Sequence, residues 1–454
     1  SSKTTILEYG APNDDQWIQD HAEIGYTQRP GGPKMKIALT CPRDGGLAVW
    51  PRKRMLSPGK GVFALGSNLG GGGGDYGGNI ELSHPRVDYP LGRIMCGDNM
   101  SLKMQRFLEA QERQTPIAVD IGFTDVMHID ETVSPGPGGV TYFADSGAAI
   151  QLLRQSFTTT SQKLEGILFS VDQSKGKTAI VHASTFSQQN HFVILSLDYD
   201  AAHSEWEAYN NGYLRIVTNG AAGGQVARIS GIEKASSNDH PSENVTGKLK
   251  LLVSKVWDTA QTNGGAGNRA SQNWASQTGA PQSDWHVAPT KGDHIVVVRE
   301  SKLWQRGCPA IITVGEVLQD GNFVSFNETF MSQKVQATLS ALGVESNKSI
   351  GLPCIFYKRM KASSSNLAAD VPYGSAFTPN VVNLQWVDSF PSVPELFGPR
   401  NTTDEDKLRS AIQSVLPNPS TFIDNWTNFH LLNGQVHCGS NAERQGKDNW
   451  WKTP

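Results

Sequence analysis

The chain has 454 residues, of which 38% are hydrophobic and 18% are charged, and its formal net charge is -3. A chain of this length can form up to about three domains of ordinary size. The near-neutral charge balance and the lack of a basic block argue against nucleic acid as a partner. No apolar run approaches the roughly 18 residues of a membrane span, and the start, SSKTTILEYG, lacks an initiator Met and a signal-peptide core. We therefore expect a soluble, trimmed chain.

The cysteines and the glycosylation sequons bear on the cellular compartment. The five cysteines are Cys41, Cys96, Cys308, Cys354 and Cys438. None forms a CxxC or CxxH pair, which makes structural zinc improbable, and the odd count leaves one free thiol and allows up to two disulfides. Sequons lie at Asn99, Asn244, Asn327, Asn347, Asn401 and Asn425. Together with the low charge they favour a secreted glycoprotein, with a cytoplasmic protein as the alternative.

Three segments carry the periodicity of an amphipathic helix, and a short apolar run follows each of them. They span residues 100–112, 330–343 and 403–416, and the runs that follow read TPIAVDI, IGLPCIFY and TFIDNW. We expect Gly343 to end the second helix with a left-handed cap and Thr403 to cap the third. The alternation of helix and strand is typical of repeated α/β units.

Residues 165–325 carry a different pattern, in which short β-type runs are separated by Gly, Asn and Ser. The runs read TAIVHASTF, HFVILSLDYD, GYLRIVTNG, GQVARISGI, GKLKLLVSKVWD and DHIVVVRESKLW. Residues 259–283 are poor in apolar side chains and are predicted to form a long loop. We therefore divide the chain into residues 1–164, an all-β insertion at 165–325, and residues 326–454.

Two segments near the start are rich in glycine or in polar residues. The tract GSNLGGGGGDYGGN at residues 66–79 lacks the GK[ST] ending of a phosphate loop, so we interpret it as a flexible surface loop that can act as a lid. Residues 16–26, QWIQDHAEIGY, set Asp20, His21 and Glu23 among apolar residues. Taken alone, this segment favours a salt-bridged surface strand, although buried polar groups can also hold a cation.

Two further segments can carry acid, base or nucleophile chemistry. In VMHIDE, residues 126–131, a strand would put His128 and Asp130 on one face. Taken alone, a structural hydrogen-bonded pair is the commoner interpretation of these two residues. In GQVHCGSN, residues 434–441, Cys438 lies on a Gly-flanked turn where a nearby His could lower its pKa from about 8.5 toward neutrality. From these residues alone, Cys438 could be a buried thiol, half of a disulfide, a metal ligand or a nucleophile.

Together, these segments resemble the catalytic domain of the protein-arginine deiminases. The matching phrases are WIQDHAEIGY, NIELSHPRVDYPLGRI, MHIDE, AFTPNVVNLQWVDSFPSVPELFGP and TFIDNWTNFHLLNGQVHCGSNAERQGKDNWW. They occur in family order and cover about residues 1–160 and 325–454. The family's two amino-terminal immunoglobulin-like domains are not recognised in the chain, and neither is a family counterpart of the β insertion.

The resemblance implies a reaction and the residues that perform it. Cys438 is implied as the nucleophile that attacks the guanidinium carbon of an arginine side chain, forming a covalent thiouronium that water hydrolyses to citrulline. His128 is implied as the general acid and base. Asp20 and Asp130 are implied as the carboxylates that hold the guanidinium nitrogens, a task that suits bidentate carboxylate geometry.

The resemblance also implies a fold and a substrate pocket. The fold is a five-bladed αβ-propeller of ββαβ-like units, an α/β fold with the site at its centre, here interrupted by the all-β insertion. Trp17 is implied as the aromatic wall of the guanidinium pocket, and Arg43 as a contact to the substrate backbone. Gly45 stands where the animal enzymes have a second arginine, so peptide recognition is expected to differ in detail.

Calcium sites of the family are only partly retained. The positions that match one site are Gln19, Glu23, Gly77, Ile80 and Glu81. A second site is expected to be lost, because His21, Thr40 and Cys41 replace oxygen ligands, and calcium prefers six to eight oxygens. We therefore predict at most one Ca²⁺ near the active site, weak or absent calcium dependence, and no organic cofactor.

The leading hypothesis is a hydrolase that acts on C–N bonds and citrullinates arginine in peptides or proteins, with no nucleic acid or membrane partner and with the β insertion shaping substrate access. Complete retention of the implied catalytic residues motivates it. A second hypothesis is a deiminase of free arginine or agmatine, which Gly45 leaves open. A third is a non-catalytic binding protein whose insertion recognises a surface or glycan.

Overall fold

The structure is a computed structural model of the chain. It describes residues 15–64, 72–168, 177–186, 191–210, 212–216, 226–240, 242–254, 289–298, 312–361, 371–401, 403, 405–426, 428–443 and 446–447. The chain divides into two compact units. Unit 1 consists of Ser1–Ala148, Thr329–Glu395 and Ile412–Pro454, and unit 2 consists of Ala149–Glu328 and Leu396–Ala411.

Short helices and strands alternate along most of the described chain. The helices are α1 (Ile18–His21), α2 (Leu102–Glu109), α3 (Ser146–Ser156), α4 (Thr160–Glu165), α5 (Tyr199–Trp206), α6 (Val314–Gln319), α7 (Gly321–Ser325), α8 (Ser332–Ala341) and α9 (Lys407–Val415). The strands of unit 1 are β1 (Ala22–Thr27), β2 (Met35–Thr40), β3 (Lys60–Ala64), β4 (Glu81–Leu82), β5 (Ile94–Gly97), β6 (Ile117–Val119), β7 (Val133–Pro135), β8 (Thr141–Asp145), β17 (Ser349–Pro353), β18 (Phe356–Lys361), β19 (Val371–Ala376), β20 (Gln385–Val387), β21 (Phe390–Pro394) and β22 (Thr421–Ile423). Those of unit 2 are β9 (Ile167–Leu168), β10 (Lys177–Phe186), β11 (His191–Asp198), β12 (Tyr213–Ile216), β13 (Val226–Lys234), β14 (Lys248–Ser254), β15 (His294–Val298) and β16 (Ile312–Thr313).

Unit 1 is built from small mixed sheets. In the described residues the strand orders are β1-β2-β3, β4-β5-β6, β7-β8-β17, β18-β19 and β20-β21-β22. In each three-stranded sheet an antiparallel pair is extended by one parallel strand. Parallel neighbours need a crossover connection, and α2 and α9 lie in two of these connections. The mixed α/β class is thus confirmed, while the arrangement of the sheets around an axis stays a prediction.

The three predicted helices are present, and the capping predictions are half right. The segments at 100–112, 330–343 and 403–416 contain α2, α8 and α9. Gly343 follows α8 with φ +64°, the left-handed conformation that glycine adopts without strain. Thr403 does not cap α9, because that helix begins at Lys407 and the Asp406 carboxylate accepts the backbone N–H of Arg409 at 3.0 Å. An N-cap must lie directly before the first helical residue, which Asp406 does.

Unit 2 is dominated by an antiparallel sheet that closes on itself. Its strand order is β10-β11-β14-β13-β12-β15, and β15 pairs with β10. All six β-type runs of the sequence form these strands. The interior is apolar, as the alternation of β-strands requires, and is filled around Trp206 by Val181, Leu195, Leu214, Leu251, Ile295 and their neighbours. The predicted loop at 259–283 lies outside the described residues.

The described cysteines are buried free thiols. Cys41, Cys96, Cys354 and Cys438 form no disulfide with one another, so the disulfides that the sequence allowed are not found among them. Cys308 lies outside the described residues. Two of the sequon asparagines, Asn327 and Asn425, are at most 1% exposed.

The described part of the chain contains no helix that is long and apolar enough to cross a membrane.

Candidate active site

Cys438 lies on a turn of unit 1 that several hydrogen bonds hold in place. The preceding turn ends at Asn433, whose φ of +65° is left-handed, and Gly434 follows. The Cys438 carbonyl accepts the backbone N–H of Gln19, the second residue of α1, at 3.2 Å. The thiol is 6% exposed, and its Sγ lies 3.7 Å from Asp130 Oδ2. The tail segment therefore presents its cysteine to a carboxylate.

Two carboxylates and one imidazole converge above Gly78. A Cβ atom on Gly78 would lie 2.5 Å from His128 Nδ1, 3.0 Å from Asp20 Oδ1 and 3.2 Å from Asp130 Oδ2. A side chain at this position would collide with His128 and crowd both carboxylates, so glycine allows the three groups to approach closely. The residues that the resemblance implied as catalytic are thus brought together from α1, from residues 128–130 and from the carboxy-terminal turn.

His128 and Asp130 do not lie on a strand, and that conditional prediction is wrong. Ile129–Glu131 form a 3₁₀ turn, and Met127 before it has a positive φ of 60°. Glu131 caps the turn, since its Oε2 accepts the backbone N–H groups of Val126 at 3.1 Å and His128 at 3.2 Å. Backbone groups that the turn leaves unpaired are satisfied in this way, which is why a turn can place both side chains in one site.

The hydrogen bonds of His128 define which ring nitrogen carries a proton and which one is free to accept a proton. Nε2 lies 2.9 Å from the Gly73 carbonyl oxygen, which can only accept, so Nε2 carries a proton. Nδ1 makes no hydrogen bond among the described residues and lies 3.7 Å from Asp20 Oδ1. In the neutral imidazole Nδ1 is therefore the basic atom, and it faces the point above Gly78.

Electrostatics in the site keep the free thiol protonated. Burial, followed by the negative charges of Asp130 and Asp20, raises the pKa of the Cys438 thiol well above its usual value. Burial also raises the pKa of Asp20, against the opposing positive charges of His128 and Arg43. The expectation that a neighbouring His lowers the thiol pKa toward neutrality is therefore not met in the free protein.

Asp130 keeps one acceptor open. Its Oδ2 lies 2.9 Å from His437 Nδ1, and His437 Nε2 lies 3.2 Å from Glu81 Oε1. Its Oδ1 is buried and has no hydrogen-bond partner among the described residues. A buried carboxylate oxygen without a donor is unfavourable, so this atom is suited to a ligand that brings N–H groups. Sequence reasoning did not assign His437 a role, although it directly precedes Cys438.

Arg43 and Trp17 both border this site. Arg43 Nη1 lies 3.3 Å from Asp20 Oδ2 and Nη2 lies 3.6 Å from Asp15 Oδ1. The Trp17 ring packs edge-to-face on Phe429 at 5.7 Å, and a Cβ on Gly434 would lie 2.0 Å from it. Trp17 thus lies against the turn that carries Cys438.

The glycine-rich tract and the 16–26 segment differ from their interpretations. Within the described part of the tract, Gly73–Asp75 and Gly77–Asn79 form two 3₁₀ turns, and residues from Gly74 onward are mostly buried, so this part is not a surface loop. The remaining tract residues up to 71 lie outside the described residues. The 16–26 segment is a buried turn, α1, followed by β1, rather than one surface strand.

The implied ligands of the first calcium site lie near one another. Gln19 Nε2 donates to Glu23 Oε1, and a Cβ on Gly77 would lie 2.1 Å from the Gln19 carbonyl oxygen. Ile80 is buried, and Glu81 contacts His437. The donors are all oxygens, as calcium prefers, but only two are carboxylates. No group of three or more His, Cys, Asp or Glu residues suited to a metal occurs in the part of the chain that is described.

The second calcium position does not fit calcium. His21 Nε2 lies 2.7 Å from Asp15 Oδ2, Thr40 Oγ1 donates to the Phe63 carbonyl at 3.4 Å, and Cys41 is a buried thiol. Burial is the largest influence that lowers the pKa of His21 and raises that of Cys41. A neutral imidazole, a hydroxyl and a neutral thiol are poor ligands for a hard cation.

Fold and site together define a mixed α/β protein with a cysteine beside paired carboxylates and an imidazole. The chain belongs to the protein-arginine deiminase family, because the family model described as "Protein-arginine deiminase (PAD)" matches residues 1–192 and 290–452. The residues between these two matches contain most of the closed sheet of unit 2.

Individual relatives agree with the family match. The chain is 38% identical to human protein-arginine deiminase type-4 over 151 residues, which is 30% of this chain and 23% of that protein. It is 34% identical to human type-3 over 171 residues, 34% of this chain and 26% of that protein. With rat type-3 the identity is 24% over 469 residues, 99% of this chain and 49% of that protein. The chain thus spans about half the length, or less, of these curated relatives.

Proposed function

We propose that the protein is a protein-arginine deiminase, a hydrolase that converts peptidyl-arginine to peptidyl-citrulline with release of ammonia. The convergence of His128, Asp20 and Asp130 above Gly78, with the Cys438 sulfur 3.7 Å from Asp130, carries the proposal. A guanidinium is a planar fork of donors, and paired carboxylates with a free acceptor suit it. The open Oδ1 of Asp130 is one such acceptor.

Substrate binding activates the nucleophile in this proposal. Burial, and after it the charges of Asp130 and Asp20, raise the pKa of the Cys438 thiol in the free protein. A guanidinium held between Asp20 and Asp130 places a positive charge beside the sulfur and offsets both carboxylates. Opposite charge within a few ångströms favours the ionised form, so in the substrate complex the thiol gives its proton to Nδ1 of His128.

The reaction proceeds through a covalent intermediate. The Cys438 thiolate forms a C–S bond to the guanidinium carbon, and the protonated His128 gives its Nδ1 proton to a terminal nitrogen, which leaves as ammonia. The product is a thiouronium, in which sulfur, the remaining NH₂ and the substrate nitrogen share one carbon. His128 Nδ1 then accepts a proton from water as its oxygen attacks that carbon. The C–S bond breaks, the second water proton passes to the released ammonia to give ammonium, and thiolate and citrulline result.

Trp17 and Arg43 are proposed as substrate contacts. Trp17 forms the aromatic wall of the guanidinium pocket, and its position against Gly434 beside the nucleophile turn supports this. Arg43 contacts the substrate backbone once substrate arrives. Its side chain is 22% exposed, which supports a role at the mouth of the site, although in the free protein its guanidinium lies on Asp20 and Asp15.

At most one Ca²⁺ is proposed, with weak or absent calcium dependence. Its ligands would be the Gln19, Glu23 and Glu81 side chains and the carbonyl oxygens of Gly77 and Ile80. When bound, a cation there would supply charge compensation for the two carboxylates and fix α1 relative to β4. The hydrogen bond from Gln19 to Glu23 and the contact of His437 with Glu81 already engage three of these ligand side chains within the protein, which supports weak dependence.

The proposed architecture of unit 1 is a five-bladed propeller. Five small sheets in the described residues, four of them with an antiparallel pair followed by a parallel strand, support it. The proposed insertion at 165–325 is supported by the closed sheet, whose strands run from Lys177 to Val298.

Citrulline formation from a peptide with an internal arginine tests the function. We expect wild type and Cys96→Ala, which truncates a buried thiol in β5, to produce citrulline, and Cys438→Ala to match the enzyme-free blank. Ammonia release that survives Cys438→Ala would overturn the proposal. The assay is run with calcium and with a strong chelator, where surviving activity supports a preformed site. Free arginine is compared, and a tenfold higher kcat/KM for the peptide corresponds to about 1.4 kcal/mol in transition-state binding.

A further inference from the structure

Asn383 ties down the turn that carries Cys438 through one end of its side chain. Its Oδ1 accepts the backbone N–H of His437 at 3.1 Å and that of Cys438 at 3.2 Å. The Asn383 carbonyl accepts the same His437 N–H at 3.0 Å. The residue is 1% exposed. The amide plane is therefore fixed by two backbone donors on consecutive residues, the second of which belongs to the cysteine itself.

The other end of the Asn383 amide has no partner. Because two N–H groups point at one atom, that atom is the oxygen, and the second atom is the NH₂ donor Nδ2. Nδ2 is buried and makes no hydrogen bond within the described residues. An unsatisfied buried donor costs about 1–3 kcal/mol, so its persistence calls for an explanation.

This donor belongs to the surroundings of the sulfur. Asn383 and Cys438 line the same cavity. Burial, Asp130 and Asp20 raise the pKa of the Cys438 thiol, whereas a backbone hydrogen bond from Gln435 and the Asn383 side chain lower it. Nδ2 is thus an unpaired buried donor of a residue that lines the same cavity as Cys438.

We propose that Asn383 is a positioning residue whose Nδ2–H donates to the ionised sulfur of Cys438, and that with the Gln435 backbone N–H it forms a two-donor site for the thiolate. The inference rests on the proposed nucleophilic role of Cys438. This two-donor site would give the thiolate neutral hydrogen-bond donors on one side, while the carboxylates lie on another side of the sulfur. The same donors stabilise the sulfur when it leaves the thiouronium, because hydrogen bonds to an anion are stronger than those to a neutral group.

Several charged groups around the sulfur also influence its ionisation, and the test must distinguish their effect from that of Asn383. Asp130 and Asp20 act directly on the thiol. His437 contacts Asp130, and both His128 and Arg43 contact Asp20. The cavity beside Asn383 is also lined by Asp125, Glu131 and His430. A variant of Asn383 leaves all of these groups unchanged, and comparing a charged with an uncharged replacement separates loss of the donor from the effect of an added carboxylate.

Asn383→Asp is the sharpest variant, because it keeps the shape and the acceptor but replaces the donor by an oxygen. Asn380→Asp is the matched control: it makes the same change in the same cavity, at a residue that bonds Val382 and Glu131 rather than the Cys438 turn. The readout is the pH dependence of Cys438 alkylation by iodoacetamide, measured by mass spectrometry of its peptide, with a chelator and again with calcium.

We expect Asn383→Asp to move the midpoint of alkylation up by at least about one pH unit, which lowers the alkylation rate near neutral pH about tenfold. Above the new midpoint the rate returns to that of wild type, which a disordered turn would not allow. With the peptide substrate, kcat falls while KM changes little. Asn380→Asp keeps the wild-type midpoint.

An Asn383→Asp midpoint equal to that of wild type would overturn the inference and leave Asn383 as an anchor of the turn only. Asn383→Ala is measured alongside, because it removes the donor without adding a charge. We expect a smaller upward shift, and an unchanged Asn383→Ala midpoint overturns the inference whatever Asn383→Asp shows. Alkylation does not require turnover, so a shifted midpoint in a protein without deiminase activity would refute the proposed function and leave the donor site standing.

Discussion

The interiors of the two units differ in chemistry. In unit 2 a cluster of buried apolar and aromatic side chains fills the closed sheet. Lys250 lies outside this cluster, where it pairs with Glu233 at 2.9 Å and Asp239 at 3.0 Å. In unit 1, by contrast, several ionisable side chains are at most 6% exposed. They include Asp20, His21, His128, Asp130 and His437.

This difference in interior composition suggests that unit 2 is built mainly for stability and that the polar interior of unit 1 serves a chemical reaction. Burial of apolar surface stabilises a fold, whereas burial of charged groups opposes it unless they are paired. The apolar cluster of unit 2 follows the first rule. Unit 1 departs from it around the candidate site, where Asp130 Oδ1 and Asn383 Nδ2 are buried without a partner in the described residues. Residues that weaken a fold in this way cluster at functional sites.

The largest effect is expected in unit 2. Trp206 is 1% exposed and fills the interior of the closed sheet. Trp206→Ala should lower the free energy of unfolding by about 3–5 kcal/mol, because it removes a large buried side chain and leaves a cavity. Chemical denaturation measures this loss. Ile180→Ala, at a strand residue that is 44% exposed, should change stability far less.

If the comparison is right, Trp206→Ala leaves the rate of Cys438 alkylation in the folded protein unchanged. A wild-type free energy of unfolding in this variant would mean that the apolar cluster does not stabilise the chain. A changed alkylation rate below the unfolding transition would mean that chemistry and stability are not separated as described.

The next effect is expected at the site. Asp130→Asn keeps the shape of the side chain but removes the charge that would hold a guanidinium. We expect kcat/KM for an arginine peptide to fall by about 10²–10³, the usual loss when one preorganised electrostatic contact is removed. Asp120→Asn, at an exposed carboxylate paired with Lys334, is the control and should retain activity.

Asp130→Asn should not lose stability as Trp206→Ala does, because an amide oxygen can still accept from His437. Urea denaturation of both variants, in parallel with the activity assay, makes the comparison. An Asp130→Asn protein that turns over peptide at the wild-type rate would remove this carboxylate from the mechanism.

Secondary structure was predictable wherever one local pattern dominated. The stripes of α2, α8 and α9 and the six apolar runs of unit 2 each repeat with a single period, and these elements formed as expected. The strand considered for residues 126–131 did not form. Met127 has a positive φ and Glu131 caps a 3₁₀ turn, and these two features override the period-two pattern. Turns of this kind are set by backbone hydrogen bonds that no hydrophobic period reveals.

The candidate active site was predictable in part, from residue type and family resemblance rather than from a hydrophobic period. Cys438, His128, Asp20 and Asp130 carry chemistry by residue type, and the resemblance joined them although they lie far apart in sequence. Residues that act through backbone contacts gave no such signal. Asn383 reads as one more asparagine in an Asn-rich run, and Gly78 as one of many glycines, until tertiary contacts are known.

The most gradual effect is expected at Glu131, whose partly buried carboxyl tests what a polar interior does to stability. Burial raises its pKa to about 8 from 4.5, despite the hydrogen bonds from Thr124 and from the His128 backbone that favour the anion. Between these two values the unfolded chain has lost the proton while the folded chain keeps it. Stability therefore falls as pH rises through this window, by at most about 1.4 kcal/mol per pH unit.

Glu131→Gln removes the titration and keeps an amide oxygen for the Val126 and His128 backbone donors. We expect the free energy of unfolding of this variant to vary less between pH 5 and pH 8 than that of wild type, and to exceed it at the upper end of that window. Glu345→Gln, at an exposed carboxylate, should keep the wild-type slope. Identical slopes in wild type and Glu131→Gln would show that Glu131 is already ionised in the fold, and that its two backbone hydrogen bonds outweigh burial.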